Sequence, residues 1–179
     1  VLAIADASVV GNLPSLSSAD ADAVRRAVRY LYDLGHRQIA RVGGPESLAH
    51  SYIRDSAFAD VASELGMRYR CLHTDYTPET GREATKRLLA FSEHPTAIIY
   101  DNDVMALAGL GVAASQGIKV PEEISIMSWD DSLMCTAAYP NLTAMGRDVV
   151  DTGKQAAGLL LKLIGGERVG HLMEGPYEL

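Results

Sequence analysis

Short apolar runs alternate with longer stretches of helical periodicity along most of the chain. In residues 21–34, for example, Val24, Val28 and Leu31 recur at helical spacing, and Gly35 follows as a C-terminal cap. Strand–helix–strand units with apolar strands build a parallel sheet covered by helices on both faces, so the predicted fold class is α/β. The predicted strands are residues 2–5, 38–42, 70–73, 97–100 and 124–128, with one or two more in 171–179. The predicted helices are residues 21–34, 51–65, 78–91, 104–116 and 148–164.

The composition excludes several classes of protein. The 179 residues are 47% hydrophobic and 22% charged, which is the balance of a globular protein. With 16 basic and 23 acidic residues the net charge is −7, which argues against this chain holding nucleic acid by its phosphates. No apolar run reaches membrane-spanning length, and residues 1–6 do not have the pattern of a signal peptide. Cys71 and Cys135 lie far apart, as expected of two reduced thiols in a cytoplasmic protein.

Polar and aromatic side chains follow the apolar runs where strands are predicted to end. Tyr76 follows one strand, Asn102 the next, and Trp129, Asp130 and Asp131 the last. In an open parallel sheet, ligands bind beyond the carboxyl ends of the strands. Ionised carboxylates only accept hydrogen bonds, so this edge suits a ligand with many hydroxyl donors, and Tyr76 or Trp129 would supply a flat face for a sugar ring. The edge therefore predicts a site for a neutral polyol or sugar.

The same residues have a simpler interpretation, in which Asn102 and the neighbouring aspartates cap helices and turns at the strand exits. The carboxylates would also repel a phosphate unless a cation or Arg54 intervened. Both interpretations stay open at this point.

Two short motifs point to other functions. Residues 98–103, IIYDND, resemble the first motif of haloacid-dehalogenase-type phosphatases, with Asp101 as nucleophile, Asp103 as acid and Asp130 with Asp131 as the magnesium pair. Two features argue against a phosphatase. A helix is predicted directly after Asp103, which leaves no room for that family's flap, and Lys119 comes before a strand and so lies at the sheet edge opposite the predicted pocket. Residues 109–114, GLGVAA, fit a dinucleotide pattern but fall inside a predicted helix, where they indicate close packing of small residues. No histidine has metal-ligand spacing, so nothing predicts a metal or a cofactor.

A series of linked motifs resembles the LacI/GalR-type bacterial transcription regulators. The resemblance covers the chain from about residue 19 to the end. The matching runs are LGHRQIA (34–40), PTAI (95–98), NDVMA (102–106), VPEEISI (120–126), WDDS (129–132) and PNLT (140–143).

The resemblance implies a periplasmic-binding-protein-like fold of type I, with two Rossmann-like subdomains and an effector between them. Residues 37–143 and 171–179 would form a nearly complete second subdomain, and residues 1–36 and 144–170 part of the first. The opening half of the first subdomain and the helix-turn-helix DNA-binding domain would lie outside this chain.

The resemblance also implies a set of effector-binding residues. Arg54 stands at the arginine of the family's RxxGF element, in which Ala57 replaces the glycine. The other matching positions in the predicted site are Asn102, Asp130, Tyr76, Asp22 and Arg147, to which Trp129 is added from the strand edge. Asp22 could instead cap its helix, Arg147 could form a surface salt bridge, and Arg54 could be solvated surface.

The implied function is that of a ligand-sensing core rather than an enzyme. A small effector, expected to be a sugar, would bind in the cleft and control operator DNA binding through the missing helix-turn-helix. The protein would be a cytoplasmic homodimer without a membrane partner, and the apolar loop 133–139 is a candidate dimer contact or a local packing element. The alternative within binding proteins is a periplasmic sugar receptor of the same fold.

Overall fold

A computed structural model describes residues 1–179 as two parallel sheets with flanking helices. The elements, in chain order, are β1 (Ala3–Ile4), α1 (Ala7–Val10), β2 (Ser15–Ser17), α2 (Asp20–Asp33), β3 (Gln38–Gly43), α3 (Ala49–Glu64), β4 (Arg68–His73), α4 (Pro78–Leu89), β5 (Ala97–Tyr100), α5 (Asp103–Ser115), β6 (Ser125–Trp129), α6 (Leu133–Ala137), β7 (Thr143–Met145), α7 (Val149–Ile164) and β8 (His171–Met173). The predicted α/β fold class is confirmed.

The larger sheet has five strands in the order β4-β3-β5-β6-β7, all parallel. Successive side chains of a strand point to opposite faces, and the two faces carry separate cores. Ile39 and Ile99 pack with α2 and α3, whereas Ala40, Ile98 and Tyr100 pack with α4 and α5. Because β3, β5 and β6 are covered on both sides, they read as almost continuous apolar runs in the sequence.

The smaller sheet has three parallel strands in the order β1-β2-β8. Its coverage is sparse, since all three residues of β8 are exposed. Helix α7 buries only Leu159 and leaves Leu160, Leu161 and Ile164 exposed. None of the seven helices is both long and apolar enough to cross a bilayer.

Four short elements have no counterpart among the predicted ones: α1, β2, α6 and β7. A strand such as β2, with the sequence Ser-Leu-Ser, is too short to show a periodicity, and its neighbours β1 and β8 place it in a sheet. The remaining predicted elements agree with the structure to within two residues at most ends.

The two sheets divide the chain differently from the expected subdomains. Residues 171–179 were expected with the larger sheet, but β8 pairs with β2 in the smaller one. Residues 1–36 and 144–170 were expected together, but α2 packs on α3 in the core of the larger sheet, and β7 forms the edge of that sheet. The apolar face of α2 is complementary to α3, a contact that the order of elements along the chain does not reveal.

Candidate functional site

A cleft of about 430 Å³ lies where the carboxyl edge of the larger sheet faces the smaller sheet. Parallel strands end at one edge, so residues far apart in sequence meet there. The polar lining residues are Asp6, Ser18, Asp20, His50, Arg54, Tyr76, Asp101, Asn102, Asp130, Arg147, Glu174 and Tyr177. Five of the seven predicted site residues belong to this group: Arg54, Tyr76, Asn102, Asp130 and Arg147.

Arg54 is buried on α3, and its guanidinium already has partners. It lies 2.6 Å from Asp20 and 3.6 Å from Asp101, with its plane over the Trp129 ring at 4.4 Å. Desolvation works against the charged form, but the two carboxylates outweigh it, so the pKa of Arg54 is raised above its ordinary value. The guanidinium is therefore a fixed cation whose charge the protein itself neutralises.

Trp129 does not line the cleft, contrary to the prediction of a stacking face. Its side chain is buried between the Arg54 guanidinium and the Tyr177 ring, whose centroid lies 5.3 Å away. The residue ends β6 and points to the α2–α3 face of the sheet. Trp129 thus packs against the face of the Arg54 guanidinium and is not part of the cleft lining.

Asp22 also lies outside the cleft. Its side chain is exposed and pairs with Arg25 at 3.1 Å on the surface of α2. Asp20, which the sequence reasoning missed, is the buried acid that faces the cleft and holds Arg54. Residues that are two positions apart in an α-helix are rotated by about 200° around its axis, so only one of these aspartates can face inward. A count of helical positions from the buried Val24 and Val28 would have indicated Asp20.

Tyr76 forms one wall of the cleft together with His50. The two rings stack with centroids 6.3 Å apart, and His50 Nε2 lies 2.7 Å from Tyr76 Oη. Asn102 Nδ2 donates to the Tyr76 carbonyl at 3.2 Å, and Asn102 Oδ1 accepts from the Met105 N–H at the start of α5. Asn102 therefore caps a helix, as the simpler interpretation expected, and also fixes the loop that carries Tyr76. His50 had no signal in the sequence beyond its place four residues before Arg54.

Asp130 presents a carboxylate that no protein group occupies. It follows β6 with φ +68° and is exposed. Partial desolvation raises its pKa, although Arg54 and Arg147 oppose that shift. This carboxylate is available to accept hydrogen bonds from a ligand.

Asp101 does not have the environment of a phosphatase nucleophile. Its carboxylate is fully buried and accepts from Arg41 Nε at 2.9 Å and Arg41 Nη2 at 2.5 Å. Removing one partner of such a buried pair costs about 3–5 kcal/mol, so the pair is part of the structure of the sheet. No group of three acidic, histidine or cysteine side chains is placed to hold a metal ion. The phosphatase interpretation is therefore not favoured.

Comparison with known proteins assigns the family. A family model described as a periplasmic binding protein-like domain matches residues 28–177. The chain belongs to this periplasmic binding protein-like family. The match spans the larger sheet, α7, β8 and the cleft residues from His50 to Tyr177.

Relatives within the family are transcription regulators. The HTH-type transcriptional repressor CytR of Escherichia coli strain K12 is 33% identical over 161 residues, which cover 88% of this chain and 47% of CytR. A crystal structure of a LacI family transcriptional regulator from Bifidobacterium animalis subsp. lactis DSM 10140 is 60% identical with a TM-score of 0.97, over 99% of this chain and 66% of that one. The structure of a CelR–cellobiose complex is 26% identical with a TM-score of 0.86, over 93% of this chain and 52% of that one.

These matches confirm the resemblance to LacI/GalR-type regulators and the periplasmic-binding-protein-like fold. The chain spans about half the length of CytR. The relatives are named as regulators and not as enzymes.

Proposed function

We propose that the chain is the ligand-sensing core of a LacI-type transcription regulator. A neutral, sugar-like effector binds in the cleft and controls DNA binding by a helix-turn-helix domain outside these 179 residues. The names of the relatives support a regulator over a periplasmic receptor, and one similar structure holds cellobiose. Within this proposal, Arg54, Asn102, Asp130, Tyr76 and Arg147 serve the effector, while Asp22 and Trp129 do not touch it.

One observation carries the chemistry of the effector. Both arginines of the cleft are paired with acids of the protein, whereas the Asp130 carboxylate accepts from no protein group. A ligand that brings hydroxyl donors satisfies this carboxylate. A phosphate group, by contrast, would meet acidic side chains with no unpaired cation to receive it. The cleft is therefore suited to unphosphorylated sugars.

The effector can act only through a difference in its affinity for two arrangements of the sheets. Asp6 lines the cleft from the smaller sheet, two residues after β1, and Asp130 lines it from the larger sheet, directly after β6. An effector that contacts both residues favours the arrangement in which they are closest. We propose that this closure, in a cytoplasmic homodimer, changes the spacing of the DNA-binding domains.

The first test uses the single tryptophan as a reporter. Trp129 contacts Arg54 and Tyr177, which both line the cleft, so its fluorescence should change when the cleft is filled. We expect a neutral sugar from a panel that includes cellobiose to bind, and its phosphorylated analogue to bind more weakly. Asp130→Asn should weaken binding about tenfold to hundredfold, because a hydrogen bond to a charged acceptor is lost.

Asp22→Asn is the matched control, since it makes the same chemical change on an exposed side chain. It should leave the affinity unchanged. If no sugar in the panel binds, or if Asp22→Asn weakens binding as much as Asp130→Asn, the assignment of the cleft is wrong.

A further inference from the structure

Glu174 ties together the chain segments that connect the two sheets. It follows β8 directly, and its N–H donates to the Ser17 carbonyl at the end of β2 at 2.8 Å. Its carboxylate Oε2 accepts from Arg147 Nη1 at 3.0 Å and from Thr152 Oγ1 at 3.2 Å. Arg147 lies just after β7, and Thr152 lies in the first turn of α7. Glu174 thus joins the end of β2 through its backbone N–H and the end of β7 through its carboxylate, and it directly follows β8.

The carboxylate of Glu174 is incompletely satisfied. The side chain is 4% exposed, and Oε1 is buried without a hydrogen-bond partner. Buried polar atoms of folded proteins almost always have a partner, and leaving one without a donor costs more when the group is charged. Glu174 and Arg147 also line both the cleft and a neighbouring cavity of about 490 Å³, so there is room beside them for a side chain to move.

We propose that Glu174 is a positioning residue that holds the Arg147 guanidinium at the cleft. Through this contact it couples effector binding to a movement of the segments that connect the two sheets. The proposal rests on the proposed function, because it needs an effector in the cleft. Its structural basis is the contact with Arg147 through Oε2 together with the unused Oε1.

The pair has one observed arrangement, and the space beside it leaves room for a second. In the observed arrangement, a single guanidinium nitrogen of Arg147 contacts the carboxylate. A small rotation of Arg147 towards an effector hydroxyl lets the guanidinium bind both carboxylate oxygens. Bidentate pairs of this kind are stronger than single contacts, so Oε1 gains a donor in the second arrangement. The segments after β2, β7 and β8 then move together, because all three are bound to the same residue.

The test is a double-mutant cycle on sugar affinity. Trp129 fluorescence is titrated with cellobiose, or with the best-binding sugar of the panel, in the wild type, Glu174→Gln, Arg147→Met and the double variant. Glu174→Gln keeps the shape of the side chain and should weaken binding about tenfold, because it replaces a charged acceptor by a neutral one. In the Arg147→Met background the same substitution should change the affinity less than about twofold, because its target is gone. Equal effects in both backgrounds would overturn the proposal.

A second measurement needs no ligand. The N–H groups of Glu174, Gly146 and Glu178 all donate across the connecting segments at 2.8 Å. In Glu174→Gln their amide hydrogen exchange should accelerate together, whereas in Glu178→Gln, which removes one charge from the same segment, it should not. Unchanged exchange in Glu174→Gln contradicts the proposal even if no sugar binds. Absence of sugar binding with accelerated exchange would refute the proposed function and leave Glu174 as the link between the segments.

Discussion

Tyr76 lies in the left-handed region of backbone conformation, with φ +68°, where residues other than glycine are uncommon unless their neighbours hold them. Its ring lies so close to Gly44 that a Cβ at Gly44 would come within 1.9 Å of a ring carbon. His50 stacks beside the ring and Asn102 binds the Tyr76 carbonyl. The aromatic wall of the cleft is therefore fixed from three directions, and only Gly44 leaves room for it.

His50 makes this wall sensitive to pH. Burial disfavours the charged ring and Arg54 adds to the effect, so the pKa of His50 is lowered, although Asp20 and Asp101 oppose the shift. The unfolded chain then binds the proton more tightly, and stability falls as the pH drops below the unfolded value of 6.5.

We expect the free energy of unfolding to fall less in His50→Gln than in the wild type between about pH 7 and about pH 5. Urea unfolding followed at several pH values measures both slopes. His36, whose pKa is also lowered by burial, is present in both proteins, so its contribution cancels. Identical slopes would show that His50 does not titrate as the structure indicates.

Helix α5 approaches β5 and α4 more closely than a side chain at Gly109 would permit. A Cβ on Gly109 would lie 2.2 Å from Tyr100 Oη, which is itself 2.7 Å from Thr85 Oγ1 in the buried core. The small residues of 109–114 were interpreted as packing residues and not as a dinucleotide-binding turn. For Gly109 the structure agrees, whereas a Cβ on Gly111 would meet no atom within 4 Å.

The two glycines of α5 should respond in opposite directions to the same substitution. Gly109→Ala should destabilise the fold by about 1–3 kcal/mol, because the helix must move away or the Tyr100–Thr85 hydrogen bond must break. Gly111→Ala should stabilise it by about 0.5–1 kcal/mol, because alanine has a higher helix propensity than glycine and the position is exposed. Chemical denaturation compares the midpoints of the two variants. A loss of stability in both would indicate that helix α5 as a whole, and not the contact with Tyr100, is sensitive.

The surface of the molecule carries apolar side chains in two places. One is α7 with β8, where Leu161, Ile164 and Met173 are exposed. The other follows β6, where Leu133 is 83%, Met134 43% and Tyr139 96% exposed. Exposed apolar clusters of this kind are typical of protein interfaces. Cys135, by contrast, is fully buried, so the loop 133–139 combines local packing with an exposed apolar rim.

We expect the rim after β6 to contribute to a homodimer. Tyr139→Asp should weaken self-association about tenfold or more, because it places a charge where an apolar ring would be buried. Sedimentation velocity over a range of concentrations measures the effect. Tyr52→Asp is the control, since Tyr52 is 71% exposed on α3, and α3 and Cys135 of α6 pack into the cores on opposite faces of the larger sheet. An equal effect of both substitutions, or none, contradicts the assignment of the interface.

Local spacing along the chain is sufficient to predict four of the five strands of the larger sheet, the helices that cover it and the edge at which we propose that a ligand binds. Apolar runs such as residues 97–100 and helical repeats such as that of α2 reflect burial within one element, which neighbouring residues encode. The positions of Tyr76 and Asp130 in the cleft follow from that edge, whereas Arg54 on α3 was assigned to the site from the family resemblance. Other features depend on contacts between distant segments, and no local pattern carries them. They are the rotation of α2 that turns Asp20 inward, the burial of Trp129 under Arg54, and the pairing of β8 with β2.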